Sequence, residues 1–197
     1  MNLQDKIINH FTDSIQTQQE SLASLCELIE IAGQRLVECL LNDRKILSCG
    51  NGRSAVSARL MSCLMVNQYE RDRPSLPCIT LAADAISLTA IANDYHFDDI
   101  FAKPLRALGQ SGDVLLVFSD THSGSNLAKA INSAHDKEIA VIALTGQQET
   151  KISSLLRETD IEIRVPSHSS THIQEVHIMI THCLCDLIDQ QLFGSTL

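Results

Sequence analysis

The sequence predicts an α/β sandwich: a parallel sheet of five strands flanked by helices on both faces, with two further helices at the N-terminus. Three observations carry this expectation. Short apolar runs recur at Ile46–Cys49, Cys78–Leu81, Val114–Phe118, Ile139–Leu144 and Ile161–Val165. Four of them lack in/out alternation, as strands buried on both faces do. Stretches of helical spacing separate the runs, which is the element order of a doubly wound fold.

Taken in order, residues 1–42 read as two amphipathic helices. Leu3, Ile7, Ile8, Phe11 and Ile15 keep a 3–4 spacing, as do Leu22, Leu25, Cys26, Ile29, Ala32, Leu36 and Leu40. Their apolar faces need cover, from the rest of the domain or from another subunit. Helices are expected over Ser54–Val66, Asn126–Lys137, Thr150–Glu158 and Ser170–Phe193. The run Ile161-Glu162-Ile163-Arg164-Val165 does alternate, so it belongs at a sheet edge. No repeat or linker divides the chain, and its 197 residues fit one domain with a core and C-terminal helix over 43–193.

Composition removes several classes. The net charge is −9 and no Lys/Arg cluster appears, which argues against direct nucleic-acid contact. There is no apolar run long enough to span a membrane, and Met1–Glu20 has no signal-peptide core, so a cytoplasmic protein is expected. The seven cysteines are scattered among apolar neighbours, and Cys183 and Cys185 form C-x-C rather than C-x-x-C. Buried free thiols are expected, not disulfides or a metal cluster.

Ligands of such folds bind beyond the carboxyl ends of the strands. Three regions there matter. Cys49-Gly50-Asn51-Gly52-Arg53-Ser54 is a glycine turn leading into a helix, where close backbone approach and free N–H groups suit an anion. Taken alone, G-x-G is equally a plain tight turn. Ser119-Asp120-Thr121-His122-Ser123-Gly124-Ser125 offers hydroxyls and N–H groups to a phosphate, but the Asp120 carboxylate would repel it. An N-cap segment rich in Ser and Thr explains the same residues. The third region is Pro166-Ser167-His168 with Gln174, Glu175, His177 and His182. Gln174 and His182 lie about 80° apart round a helix and two turns along, on one side of a cleft. His177 and His182 are about 140° apart and cannot share a metal.

These regions occur in order, with matching words between them. Cys49-Gly50-Asn51-Gly52, Leu88-Thr89-Ala90-Ile91-Ala92-Asn93-Asp94-Tyr95, Gly112-Asp113-Val114-Leu115-Leu116, Ala143-Leu144-Thr145-Gly146 and Ile173-Gln174-Glu175-Val176-His177 are specific in combination. Together they resemble the SIS-domain group that includes phosphoheptose isomerase and the DnaA initiator-associating protein. The resemblance implies a homotetramer. It also implies a sugar-phosphate pocket at Asn51, Gly52, Ser54, Asn93, Asp94, Ser119, Thr121 and Gln174, to which Arg53 adds a cation, with His182 as the catalytic group of an active enzyme.

Several positions depart from the isomerase pattern. Leu60 and Leu64 stand where the resemblance calls for a metal-binding His and a catalytic Glu, and leucine neither moves a proton nor holds a cation. No cofactor is therefore expected, the zinc site being lost. The phosphate loop reads S-D-T-H-S-G in place of S-T-S-G-N-S, and Arg53 replaces a glycine. The segment from Cys183 to Phe193 matches the initiator-associating proteins, which lack the catalytic Glu.

The expectation drawn from these departures is a non-catalytic tetramer that binds DnaA and promotes replication initiation. Leu192 and Phe193 are its candidate partner contact, or simply a helix end packed on the core. The alternatives are a sedoheptulose 7-phosphate isomerase of lipopolysaccharide heptose synthesis and a sugar-phosphate sensor.

Overall fold

The computed structural model describes residues 2–120 and 124–194. Five strands form one parallel sheet in the order β2-β1-β3-β4-β5. They are β1 (Ile46–Gly50), β2 (Cys78–Thr80), β3 (Val114–Phe118), β4 (Ala140–Gly146) and β5 (Ile161–Val165). The helices are α1 (Leu3–Leu41), α2 (Ser54–Val66), α3 (Ala85–Asp94), α4 (Ala102–Leu108), α5 (Ser125–His135) and α6 (Ser170–Phe193). The expected class, sheet and strand count are what the structure has.

Strand alternation divides the core into two layers. Ile46, Leu116, Phe118, Ile142, Leu144 and Ile163 face α1, α2 and α6. Leu47, Leu115, Val117, Val141 and Ala143 face α4 and α5, with α3 packed against that layer from outside. β3 is buried along its whole length, so its residues hold both layers at once. Truncating one of them, such as Leu116→Ala, leaves a cavity that costs about 2–5 kcal/mol.

Four local expectations change. Residues 3–41 form one helix of 39 residues, not two. Nothing between the two apolar patterns breaks it: Thr17 and Ser21 bond the carbonyls of Asp13 and Thr17 one turn back, so neither caps a new helix. Asn2 and Asp5 close a capping box at its start. Second, Thr150–Glu158 is not a helix. Glu149 Oε1 takes the N–H groups of Lys151 and Ile152, and only a 3-10 turn at Ser153–Leu155 follows. Third, β2 is a short edge strand with Ile79 partly open to solvent, so it is not buried on both faces. Fourth, Cys26, Cys63 and Cys183 are exposed, while Cys39, Cys49, Cys78 and Cys185 are buried free thiols. Burial pushes the Cys39, Cys78 and Cys185 thiols up to about 12, which keeps them protonated and inert.

α3 and α4 were not expected. α3 buries none of its residues, and it starts where the Asp84 carboxylate accepts the Ile86 and Ser87 N–H groups. No helix of the described residues is long and apolar enough to cross a membrane.

Candidate functional site at the switch point of the sheet

The chain runs outward from β1 to β2, then crosses back to place β3 on the other side of β1. The crevice of a doubly wound sheet opens at that reversal, beyond the carboxyl ends of β1 and β3. The glycine turn follows β1 and the Ser119–Ser125 loop follows β3, so topology sets the two loops side by side. Thr121 lies outside the described residues, as do His122 and Ser123.

Asn51 and Asn126 tie the loops together through two reciprocal amide hydrogen bonds of 2.8 Å each. Asn126 Oδ1 also accepts the Leu127 N–H at 2.9 Å, which fixes the first turn of α5. Gly50 permits the approach: a Cβ there would stand 2.7 Å from the Ser54 carbonyl oxygen and 3.1 Å from that of Phe118. Gly146, ending β4, does the same for the second loop, since a Cβ would lie 2.2 Å from the Asp120 carbonyl oxygen.

Charged groups meet at this junction. Arg53 Nε lies 3.3 Å from Asp120 Oδ2, and Arg53 Nη1 donates to Ser170 Oγ at 3.0 Å. Gln174 Nε2 donates to the Arg53 carbonyl at 3.3 Å, joining α6 to the glycine turn. The start of α6 therefore meets the starts of α2 and α5, and each helix start favours an anion.

Ser119 is buried, and its hydroxyl donates to Glu149 Oε2 at 3.0 Å. Its N–H is bonded to the Leu144 carbonyl. As placed, it offers a ligand lone pairs rather than a proton. Ser54 is buried at the start of α2, with Gly52 and Arg53 exposed before it. On the far side of the turn a cavity of about 190 Å³ is lined by Gly50, Asn51, Thr80, Leu88 and Phe97 among others. Asn93 and Asp94 fall between Leu88 and Phe97 in sequence, lie exposed, and bond each other at 2.9 Å.

The histidines separate. His177 is buried beneath the site, with Nε2 at 3.3 Å from the Thr145 carbonyl. A carbonyl only accepts, so Nε2 carries the proton. Nδ1 is left without a partner among the described residues. Burial pushes the ring's pKa down to about 4, against the opposing pulls of the Thr145 carbonyl and the Asp120 charge. His182 stands about 12 Å along α6 from Gln174, at 1.5 Å per residue. Its ring lies 5.8 Å from that of Tyr69.

α2 packs beside α6 there, with Cys185 Sγ 3.7 Å from Met61 Sδ. Leu60 and Leu64 flank that contact on α2, and Leu64 packs against the core. Among the described residues no three His, Cys, Asp or Glu side chains come together as metal ligands. Carbon side chains at Leu60 and Leu64 leave a donor set that does not fit a metal ion.

Leu192 also packs against the core, and the Arg71 guanidinium lies over the Phe193 ring at 5.8 Å. The last turn of α6 is thus held by its own chain. Asn126, Glu149 and Ser170 were not singled out in the sequence. Only their contacts across loops reveal them.

A family model for the SIS domain matches residues 10–146. The chain belongs to the SIS-domain family. Relatives named phosphoheptose isomerase include those of Methylococcus capsulatus, 49% identical over 99% of this chain and 100% of the relative, and of Colwellia psychrerythraea, 50% identical over 96% of each. The structure of a phosphoheptose isomerase from Francisella tularensis superposes with a TM-score of 0.91 at 42% identity, covering 96% of this chain and 100% of that one.

These matches correct the functional expectation. The SIS-domain relatives carry an isomerase's name, so the closer kinship to the DnaA-associating group, the DnaA partner, the role in replication initiation and the leaning against an enzyme are all overturned. That expectation rested on departures at Leu60, Leu64 and the phosphate loop and on the likeness of the segment from Cys183 to Phe193 to the initiator-associating proteins. The rest of the SIS scaffold matches the isomerases end to end.

Proposed function

We propose that this SIS-domain protein is a phosphoheptose isomerase acting on sedoheptulose 7-phosphate in lipopolysaccharide heptose synthesis. The observation that carries the reading is identity near one half with relatives of that name across the full length of both chains. The junction of the two loops supports it as a seat for the phosphate, formed by Asn51, Gly52, Arg53 and Ser54, with the Ser119 hydroxyl turning from Glu149 to donate to the bound phosphate. Gln174 orients the sugar, and Asn93 and Asp94 close it from the α3 side.

Ketose–aldose isomerisation moves a proton between C1 and C2 of the open-chain sugar. With leucine at 60 and 64, His182 is the acid–base group, reached by the end of the sugar remote from the phosphate. The donor set gives no reason to place a metal in the reaction. The protein works in the cytoplasm as a homotetramer, which covers the apolar face of α1.

The test is conversion of sedoheptulose 7-phosphate by purified protein. Turnover is expected, slower than in relatives with the full acid–base set by about two to four orders of magnitude. His182→Ala should abolish it with the fold intact, and Leu60→His with Leu64→Glu should raise it. Binding of the sugar phosphate with no product formed by the unaltered protein would overturn the reading.

A further inference from the structure

We propose that Asp120 is a resident anion of the phosphate seat, and that an entering phosphate binds by taking Arg53 from Asp120. The inference rests on the sugar-phosphate reading of this site and adds its control. Two residues that depart from the family's loop pattern are both charged, and they are paired with each other: Arg53 Nε is 3.3 Å from Asp120 Oδ2. They sit on different loops, after β1 and after β3, so the pair bridges the crevice that a phosphate must enter.

The arrangement fixes what each partner does. The Arg53 guanidinium is held at Nη1 by Ser170 Oγ, and its backbone carbonyl by Gln174 Nε2. These contacts keep the cation at the crevice whether or not Asp120 is its partner. The Arg53 side chain is 49% exposed and that of Asp120 19%, so the cation stays open to a ligand. A phosphate dianion carries more charge than a carboxylate and accepts the guanidinium fork at two oxygens, which makes it the stronger partner. It must also overcome the Asp120 charge beside it. The pair thus selects against weak or singly charged anions, and it keeps the cation neutralised when no ligand is bound.

Calorimetric titration with inorganic phosphate tests this in the full-length protein and in Asp120→Asn, Asp120→Thr, Arg53→Gln and the Arg53→Gln/Asp120→Asn double variant. Removing the Asp120 charge is expected to tighten phosphate binding about tenfold, because a repulsive neighbour goes and Arg53 is released. Arg53→Gln alone should weaken phosphate binding, because the cation goes and the Asp120 charge stays. In the Asp120→Asn background, where no carboxylate competes for the cation, the same change should cost more and erase most of the gain, a non-additive result expected of coupled residues. Additive effects, no tightening in either Asp120 variant, or no phosphate binding by any variant would overturn the proposal. Tighter binding in Asp120→Asn without turnover of sedoheptulose 7-phosphate by any variant would remove the isomerase reading and leave this one standing.

Discussion

Single residues set the chemical character of the crevice floor. His177 is buried between β4 and α6, its proton committed to the Thr145 carbonyl, and burial lowers its pKa from 6.5 to about 4. Above pH 6.5 the ring is neutral in both folded and unfolded chains and adds no pH dependence. Between pH 6.5 and 4 the unfolded chain takes up a proton that the folded chain refuses, so stability falls as pH falls, by up to about 3 kcal/mol over the window. Below pH 4 this contribution levels off. Urea unfolding followed from pH 7.5 to pH 4 should show that loss, and His177→Gln should flatten the profile over the same window. A variant with an unchanged slope would show that other groups produce it. The same burial removes His177 from proton transfer with substrate, in keeping with the proposal of His182, half-buried beside Tyr69, for the acid–base role.

At the scale of elements, α2 and α6 are locked together by one arginine. Arg73 Nε pairs with Asp189 Oδ1 at 2.8 Å, and its Nη groups donate to the carbonyls of Leu64, Met65 and Pro74. Both side chains are buried. The guanidinium thereby satisfies the end of α2, where carbonyls lack partners within the helix, while neutralising a carboxylate inside α6. Arg73→Ala strands the Asp189 charge and should destabilise the fold by about 3–5 kcal/mol in denaturant unfolding. The Arg73→Ala/Asp189→Leu pair should recover part of that loss, because no buried charge is left alone. Failure to recover would locate the cost in the α2 carbonyls instead.

At the scale of the molecule, α1 reaches beyond what its own domain covers. Leu25, Ala32, Leu36 and Val37 are buried in its second half, whereas Leu3, Ile7, Ile8, Phe11, Ile15 and Leu22 stand 52–80% exposed. An apolar stripe of that length on a helix of 39 residues is a surface built for association, in line with the homotetramer proposed above. Ile7→Asp with Phe11→Asp should yield smaller species in sedimentation or light scattering, with helical content kept. Unchanged assembly would place the subunit contact elsewhere. The tetramer assignment would then rest on other faces of the molecule.

Apolar runs and their spacing were enough to place β1, β3 and β5 within a residue, to bound α2 and α6 as observed, and to put β5 at an edge, because burial on one or both faces is written into local alternation. They did not reveal that residues 3–41 form one helix, since a helix continues wherever nothing stops it. Nor did they show α3, whose residues bury too little to leave a pattern. Leu60 and Leu64 could be read as departures from the sequence, but their weight could not. A local substitution says nothing about how much of the scaffold around it is retained, and matching of the whole chain moved the balance from binder to enzyme. The pairing of Arg53 with Asp120, of Asn51 with Asn126 and of Ser119 with Glu149 belongs to tertiary structure alone. Those partners are 30 to 75 residues apart; the crossover that sets β3 beside β1 brings together the first two pairs, and the pairing of β3 with β4 brings Ser119 to Glu149.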